Sequence, residues 1–364
     1  MMTIGSAIQL GSYSGERFFI PLITAYCGAF AVVFFKIKVS KSYFNYAIVN
    51  FVCYMLLLLS VSLGTPNESE LIFDCVKITL PFIYALVIPV FIYNMTRYEL
   101  RFVINSLSLV VLTILAIELF IRSGTVSSIA DIERNFYLFK MHSPFFFDSN
   151  ALALYIMLYL VIFFYYNYIY LENTSIYIGL VVFLLFIFVL LTFSRSAIIG
   201  TMSLFFVYKY VASSRFTRLC LFASIVFCFF LFIPYVVDLV HTDGSGSTKL
   251  SVWSNLPNIM DSYSSYNLLW GFGINDGNFA YSYEPGEYSH VLIPMLLGQV
   301  GLIGMIVYVS YFFIVLSHIG KNYLLLIIPV FLVGLSYLHP FLETIFFASA
   351  FLYGMHIKSA AKSQ

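Results

Sequence analysis

Charge is scarce in this chain. Lys and Arg number 18 and Asp and Glu 17 in 364 residues, 10% in all, against roughly 25% for an ordinary soluble domain. Hydrophobic residues make up 61%, and mean hydropathy is +0.95. So little charge argues against a water-soluble globule, and a net charge of +1 gives no polycationic surface for nucleic acid. Cysteine is sparse too. Cys27, Cys53, Cys75, Cys220 and Cys228 lie in or beside apolar runs, at spacings that fit neither a zinc knuckle nor a disulfide framework, so all five read as packing residues. The first fifteen residues hold no Lys or Arg, so the first apolar run lacks the basic leader of a cleaved secretory signal and is expected to stay. No nucleotide-binding loop or cofactor fingerprint occurs in its required β-α setting.

Long apolar runs are what the chain has instead. Runs of about 17 to 25 residues match the ~30 Å hydrocarbon core, where a helix satisfies its own backbone groups. They fall near 18–35, 43–63, 74–93, 102–121, 150–171, 175–193, 196–211, 219–239, 290–316, 322–338 and 341–357. The expectation is an all-α polytopic membrane protein with about 11 spans, one transmembrane domain over 1–364, and two long external loops, 122–149 and 241–289. Cytoplasmic connections collect Lys and Arg, which sets the orientation. With the amino terminus outside, the inside segments hold Lys36, Lys38, Lys41, Arg97, Arg101, Lys209, Arg215, Arg218, Lys321, Lys358 and Lys362. Only Arg17, Arg122, Arg134, Lys140, Arg195 and Lys249 then fall outside, and Lys77 lies in or beside the third run.

Loops of such length in a compact protein are usually functional or disordered, and these are too aromatic for plain linkers. The first balances Arg122, Arg134 and Lys140 against Asp131, Glu133 and Asp148. The second sets Lys249 against Asp243, Asp261, Asp276, Glu284 and Glu287, one cation against five carboxylates. An acidic loop containing Tyr and Trp suits carbohydrate, because aromatic faces stack on sugar C–H groups while carboxylates accept from hydroxyls.

Several residues carry candidate chemistry. In "TFSRSAIIG", Arg195 stands in a short break between two apolar runs. A guanidinium at that depth either snorkels and ties a tight turn to helix carbonyls or meets an anion. The flanking hydroxyls of Ser194 and Ser196, and no acidic neighbour in sequence, favour the anion, and a lipid-linked pyrophosphate is the obvious one. In "GSGSTKLSVW", flexible glycines precede Lys249 and Trp253. The lysine reads equally as a phosphate contact and as a solvated loop residue. "LLWGFGINDGNF", Leu268 to Phe279, reads as a glycine turn that lets backbone approach something closely.

Ser289 and His290 are expected to open the ninth span. A neutral imidazole there can take a proton from a sugar hydroxyl, with Glu287 orienting it if the helix extends back one turn. The competing reading is a helix-start histidine that bonds the loop. Gly298, Gly301 and Gly304 recur every three residues and are expected to admit a neighbouring helix. The carboxylates of "DIE", Asp131 and Glu133, read more simply as loop charge than as metal ligands, so no metal is expected. Glu118 and Glu343 lie within apolar runs and need partners there. Asp148, Ser149 and Asn150 in "FFFDSNALALY" read as a helix N-cap.

In order, "FFFDSNALALY", "TFSRSAIIG", "STKLSVW", "LLWGFGINDGNF" and "SHVLIPMLLGQVGLIGMI" resemble the hallmarks of the O-antigen polymerase and ligase superfamily. The resemblance implies a GT-C-like membrane glycosyltransferase of the bacterial inner membrane, with its active site facing the periplasm. Undecaprenyl pyrophosphate-linked oligosaccharide would be both donor and acceptor, with a chain-length regulator and a flippase as partners. By that analogy Arg195 holds the pyrophosphate and His290 stands beside the acceptor hydroxyl. The family often has Asn after that histidine and Arg where Lys249 stands, and this chain has Val291 and Lys249. Transfer from a pyrophosphate needs cations on the departing charge, and Arg195 with Arg122, Arg134 or Lys140 supplies them without metal or cofactor.

The first expectation is thus an inverting polysaccharide polymerase that extends lipopolysaccharide-type glycan. A ligase that moves glycan to lipid A core shares these residues, but the acidic second loop suits a phosphate-rich core poorly. A lipid-linked oligosaccharide flippase or other transporter would spread ionisable residues through many helices, whereas the internal ones noted are Lys77, Glu118 and Glu343.

Overall fold

The computed structural model describes residues 26–29, 41–123, 149–223 and 244–362. Helices dominate, and no strand occurs among the described residues. The main ones are α1 (Lys41–Gly64), α2 (Glu68–Asn94), α3 (Arg97–Ser123), α4 (Ser149–Phe164), α5 (Ile176–Leu191) and α6 (Arg195–Ala212). They continue with α7 (Gly244–Ser262), α8 (Ser265–Trp270), α9 (Gly277–Ala280), α10 (Leu292–Ile319), α11 (Leu324–Gly334) and α12 (Glu343–Lys362). Five are long and apolar enough to cross a membrane: α1, α2, α3, α4 with its π-helical extension to Tyr170, and α10. Helices α5 and α11 are apolar but shorter. The expected runs near 18–35 and 219–239 lie largely outside the described residues, as do Asp131, Glu133, Arg134, Lys140 and Asp148.

The chain divides into two compact units. One comprises the described parts of 1–50, 80–201 and 342–364. Its centre is α4, buried along nearly its whole length, as expected of a helix apolar on every side. Helices α5 and α12 pack against it, and the Ser108 hydroxyl of α3 meets the Tyr159 hydroxyl at 2.6 Å. Tyr353 of α12 stacks on Tyr46 with ring centres 3.9 Å apart and donates to the Ser42 carbonyl at 2.9 Å. The Lys358 ammonium donates to the carbonyls of Tyr93, at 2.9 Å, and of Met95. A cation there satisfies the open carbonyls and the negative end of α2. Phe102, Leu109 and Phe120 of α3 stay exposed, a face that hydrocarbon solvates and water does not.

The other unit comprises 51–79 and the described parts of 202–341. It is organised around α10, which is not one continuous helix. Gly301 has φ 64° and ψ −172° and divides it into two pieces. Two carbonyls on the broken turn find other donors: Gly298 O takes the Phe272 N–H at 2.7 Å, and Val300 O takes the Ser60 hydroxyl at 2.5 Å. The break is filled by the short helices α8 and α9 and the turn between them. A methyl on Gly298 would lie 2.0 Å from the Gly277 carbonyl, and one on Gly301 would lie 2.3 Å from the Leu269 carbonyl. The glycines of α10 thus admit neighbouring helical backbone as expected, that of the short helices α8 and α9 in "LLWGFGINDGNF", and Gly301 is itself the break.

Candidate functional site

The site is built on the segment between α7 and α10, and two ties fix it. Asp74, fully buried in α2, accepts the Ile274 N–H at 2.8 Å and the Thr65 hydroxyl at 3.2 Å. A hydrogen-bonded carboxylate is the affordable way to bury that group, and Lys77 lies 3.9 Å away. Gly273, at φ 82°, leaves no room for a side chain, since an added methyl would stand 2.4 Å from Thr65 Oγ1. One turn earlier in α2, Glu70 accepts from the Asn275 amide at 3.3 Å. The second tie runs from α10, where the Gln299 amide donates to Asn278 Oδ1 at 2.7 Å, and the Asn278 carbonyl takes the Ser289 N–H at 3.1 Å.

Held in this way, the segment forms one wall of a cleft of about 810 Å³, within the ~300–1,000 Å³ range of ligand pockets. Helix α7 forms the opposite wall with Asn255, Asn258 and Ser262. The i, i+3, i+7 spacing of these residues puts them on one face. Phe272, Phe279 and Tyr263 supply rings, and Asp276 and Glu284 supply carboxylates. Tyr263 packs edge-on against Phe272 and Tyr281, at 4.7 and 5.4 Å, and donates to the Ala280 carbonyl at 2.7 Å. Burial pushes the Tyr281 phenol up to about 12, helped by neighbouring Tyr263, so it stays protonated at neutral pH.

His290 lies next to this cleft through a chain of rings. Phe279, on the cleft wall, meets Tyr288 at 4.4 Å. Tyr288 stacks on the His290 ring at 5.6 Å, and Tyr337 stacks on it at 5.7 Å, so the imidazole is held between two tyrosines. His290 has φ 55°, a left-handed conformation that costs a non-glycine residue roughly 1–2 kcal/mol. The surroundings impose it: the flanking Ser289 N–H is bound, and the His290 carbonyl accepts the Leu338 N–H at 3.1 Å. Strain retained at a half-buried imidazole beside a polar cleft is a reason to look for function there.

The helix does not extend back to Glu287. It starts at Leu292, with Val291 as cap. Pro294 explains why. Within the first turn its missing N–H is harmless, but a helix running from Glu287 would need that N–H bonded to His290 O and would drive the proline ring into that carbonyl. Glu287 instead sits exposed in the turn after Gly286, its N–H donating to Glu284 O at 3.2 Å. Burial raises the Tyr283 phenol pKa, and the carboxylates of Glu287 and Glu284 raise it further, which places both within electrostatic reach of that ring.

The other expected residues are distributed as follows. "GSGSTKLSVW" is helical from Gly244 onward, where a flexible loop was expected. At about 100° per residue, Lys249 and Trp253 fall on a face of α7 turned well away from the one that lines the cleft. Arg122 lies in the last turn of α3. In the first unit, Arg195 is the exposed first residue of α6. Its approach is a tight turn in which Phe193 has φ 54°, the Thr192 hydroxyl donates to Val189 O at 2.6 Å, and the Ser194 N–H reaches Thr192 Oγ1 at 3.3 Å. Ser194 and Ser196 are buried, with their hydroxyls 3.4 Å apart. A cation at a helix N-terminus opposes the macrodipole, which taken by itself disfavours Arg195 there. With the open N–H groups of α6 it makes a cationic spot that suits an anion. Glu118 lines a very small cavity with Thr192 and Phe188.

Contributors not singled out in the sequence include Asp74, Asn255, Asn258, Tyr263, Asn278, Tyr288, Gln299 and Tyr337. Of these, Asp74 gave a local signal, an ionisable residue at the edge of an apolar run. No family model matches the sequence, and no curated protein matches it.

Proposed function

We propose that this chain is an integral membrane glycosyltransferase of the polysaccharide-polymerase kind. It moves a growing glycan from undecaprenyl pyrophosphate onto the next lipid-linked repeat unit, at the periplasmic face of the bacterial inner membrane, on a GT-C-like scaffold of about 11 spans. The single observation that carries the reading is His290, its backbone held in a left-handed conformation and its imidazole stacked between Tyr288 and Tyr337, one ring away from a polar, aromatic cleft. In the reaction the acceptor hydroxyl oxygen bonds to the anomeric carbon as the bond from that carbon to pyrophosphate oxygen breaks. His290 takes the hydroxyl proton, and the undecaprenyl pyrophosphate that leaves needs a cation for its charge, the role that the sequence resemblance gives to Arg195. The glycosyl–pyrophosphate bond of the lipid-linked donor supplies the driving free energy, so the proposed reaction needs no nucleotide.

One observation favours transport instead. Helix α10 is broken within a span, as the helices at transporter binding sites often are. In such transporters, however, the break lines a cavity, whereas the carbonyls here are taken by Phe272 N–H and Ser60, with the backbone of Leu269 to Gly271 packed into the gap. The test is purified protein in lipid with lipid-linked repeat units and, in a second reaction, lipid A core. Longer lipid-linked chains support the reading. Transfer to core means a ligase, and movement across the bilayer without bond formation means a transporter.

A further inference from the structure

We infer that the cleft between α7 and the Phe272–Pro285 segment binds a glycan segment that carries no negative charge. This deepens the reading above by naming the class of sugar that the same site admits. Three observations carry it. First, the cleft's volume of about 810 Å³ is ample for more than one sugar ring. Second, its lining is the kind that recognises sugars: the rings of Tyr263, Phe272 and Phe279 for C–H surfaces, and the side-chain amides of Asn255 and Asn258, which both donate and accept, for hydroxyls. Third, Ser282 lines the cleft while 7% exposed, and its hydroxyl finds no hydrogen-bond partner among the described residues. A buried hydroxyl without a partner at the wall of a cleft calls for an explanation, and a bound hydroxyl-bearing ligand is one.

Charge decides the class. Among the described residues the lining carboxylates are Asp276 and Glu284, and the lining contains no Lys, Arg or His. Glu287 follows closely in the same turn, and Lys249 lies on another face of α7. A uronate, a sulfated sugar or a phosphate would meet two carboxylates and, among the described residues, no lining cation, a like-charge placement that excludes wrong partners. Neutral and N-acetylated sugars face no such penalty, and their hydroxyls have carboxylates to donate to.

The test is binding to the full chain in lipid nanodiscs, read by saturation-transfer difference and by calorimetry. The probes are a neutral N-acetylglucosamine oligomer and a galacturonate oligomer of equal length. The neutral oligomer should saturate and the anionic one should not. Asn255→Ala with Asn258→Ala, both on the exposed face of α7, should weaken the neutral probe about tenfold with the unfolding midpoint unchanged. Asp276→Lys with Glu284→Lys should let the galacturonate bind. Equal binding of the two probes, no binding of the neutral one, or unaltered binding by both double variants would overturn the inference. Chain growth measured on the same samples separates the two ideas. Neutral-glycan binding without growth leaves the cleft standing and removes the polymerase, and growth that ignores the cleft variants does the reverse.

Discussion

The carboxylate of Asp74 and the main-chain N–H of Ile274 meet at 2.8 Å across 200 residues of sequence. This bond fixes the floor of the candidate site, because Gly273, Asn275 and Asp276 follow from where Ile274 is held. Asp74→Ala removes the acceptor and leaves a buried N–H and the Thr65 hydroxyl without it. The expected loss is about 1–3 kcal/mol of stability. Hydrogen exchange should show lost protection at Ile274 and through α9, while α4 stays protected. Unchanged exchange at Ile274 would mean that the turn is held by its glycines alone.

Those glycines give a second outcome. Gly298→Ala places a methyl 2.0 Å from the Gly277 carbonyl, backbone against backbone, so one segment has to move. Overpacking of that kind costs roughly 1–3 kcal/mol or more. Gly179→Ala in α5 meets nothing within 4 Å and gains helix propensity, up to about 1 kcal/mol. Thermal unfolding in the same detergent should therefore move in opposite directions for these two substitutions.

How much of this could be read from the sequence follows from how local each signal is. The spans are local: a run such as 43–63 has the length and apolarity of a membrane helix, and α1 is found there. Helix α7 was hidden because its opening residues, Gly244 to Ser247, are poor helix formers and Pro257 lies inside it. The function of "LLWGFGINDGNF" was half legible. Its glycines announce a close approach, but the surface approached belongs to Gly298 and Gly301, and no period links the two stretches. The cleft was least legible. It is assembled from pieces that each look like polar loop, and the anchor Asp74 stands at the edge of an apolar run, where it is easily counted as its border.

His290 offers a way to separate backbone from ring. His290→Gly and His290→Ala both remove the imidazole and its stacking between Tyr288 and Tyr337, but only alanine must still hold φ near 55°. Glycine should be the more stable by about 1 kcal/mol, read as unfolding midpoints under identical conditions. Both should abolish chain growth if the ring takes the acceptor proton. Growth at wild-type length in His290→Gly would remove the residue from the chemistry and leave it a strained helix start.

Arg195 separates stability from activity most sharply. As the exposed first residue of α6 it sets a positive charge against the positive end of the helix. Arg195→Ala should leave stability unchanged or raise it by a few tenths of a kcal/mol. A guanidinium kept only to hold the turn would give the opposite sign, with a lower unfolding midpoint. On the proposed reading the same variant inserts normally and makes no long chains, because the departing pyrophosphate loses its cation. Arg195→Lys keeps the charge but not the two-point geometry of the guanidinium, so it should restore part of the rate. A lysine variant as inactive as alanine would mean that the paired N–H donors matter and the charge alone does not. Wild-type chain lengths in Arg195→Ala would take this residue out of the reaction altogether.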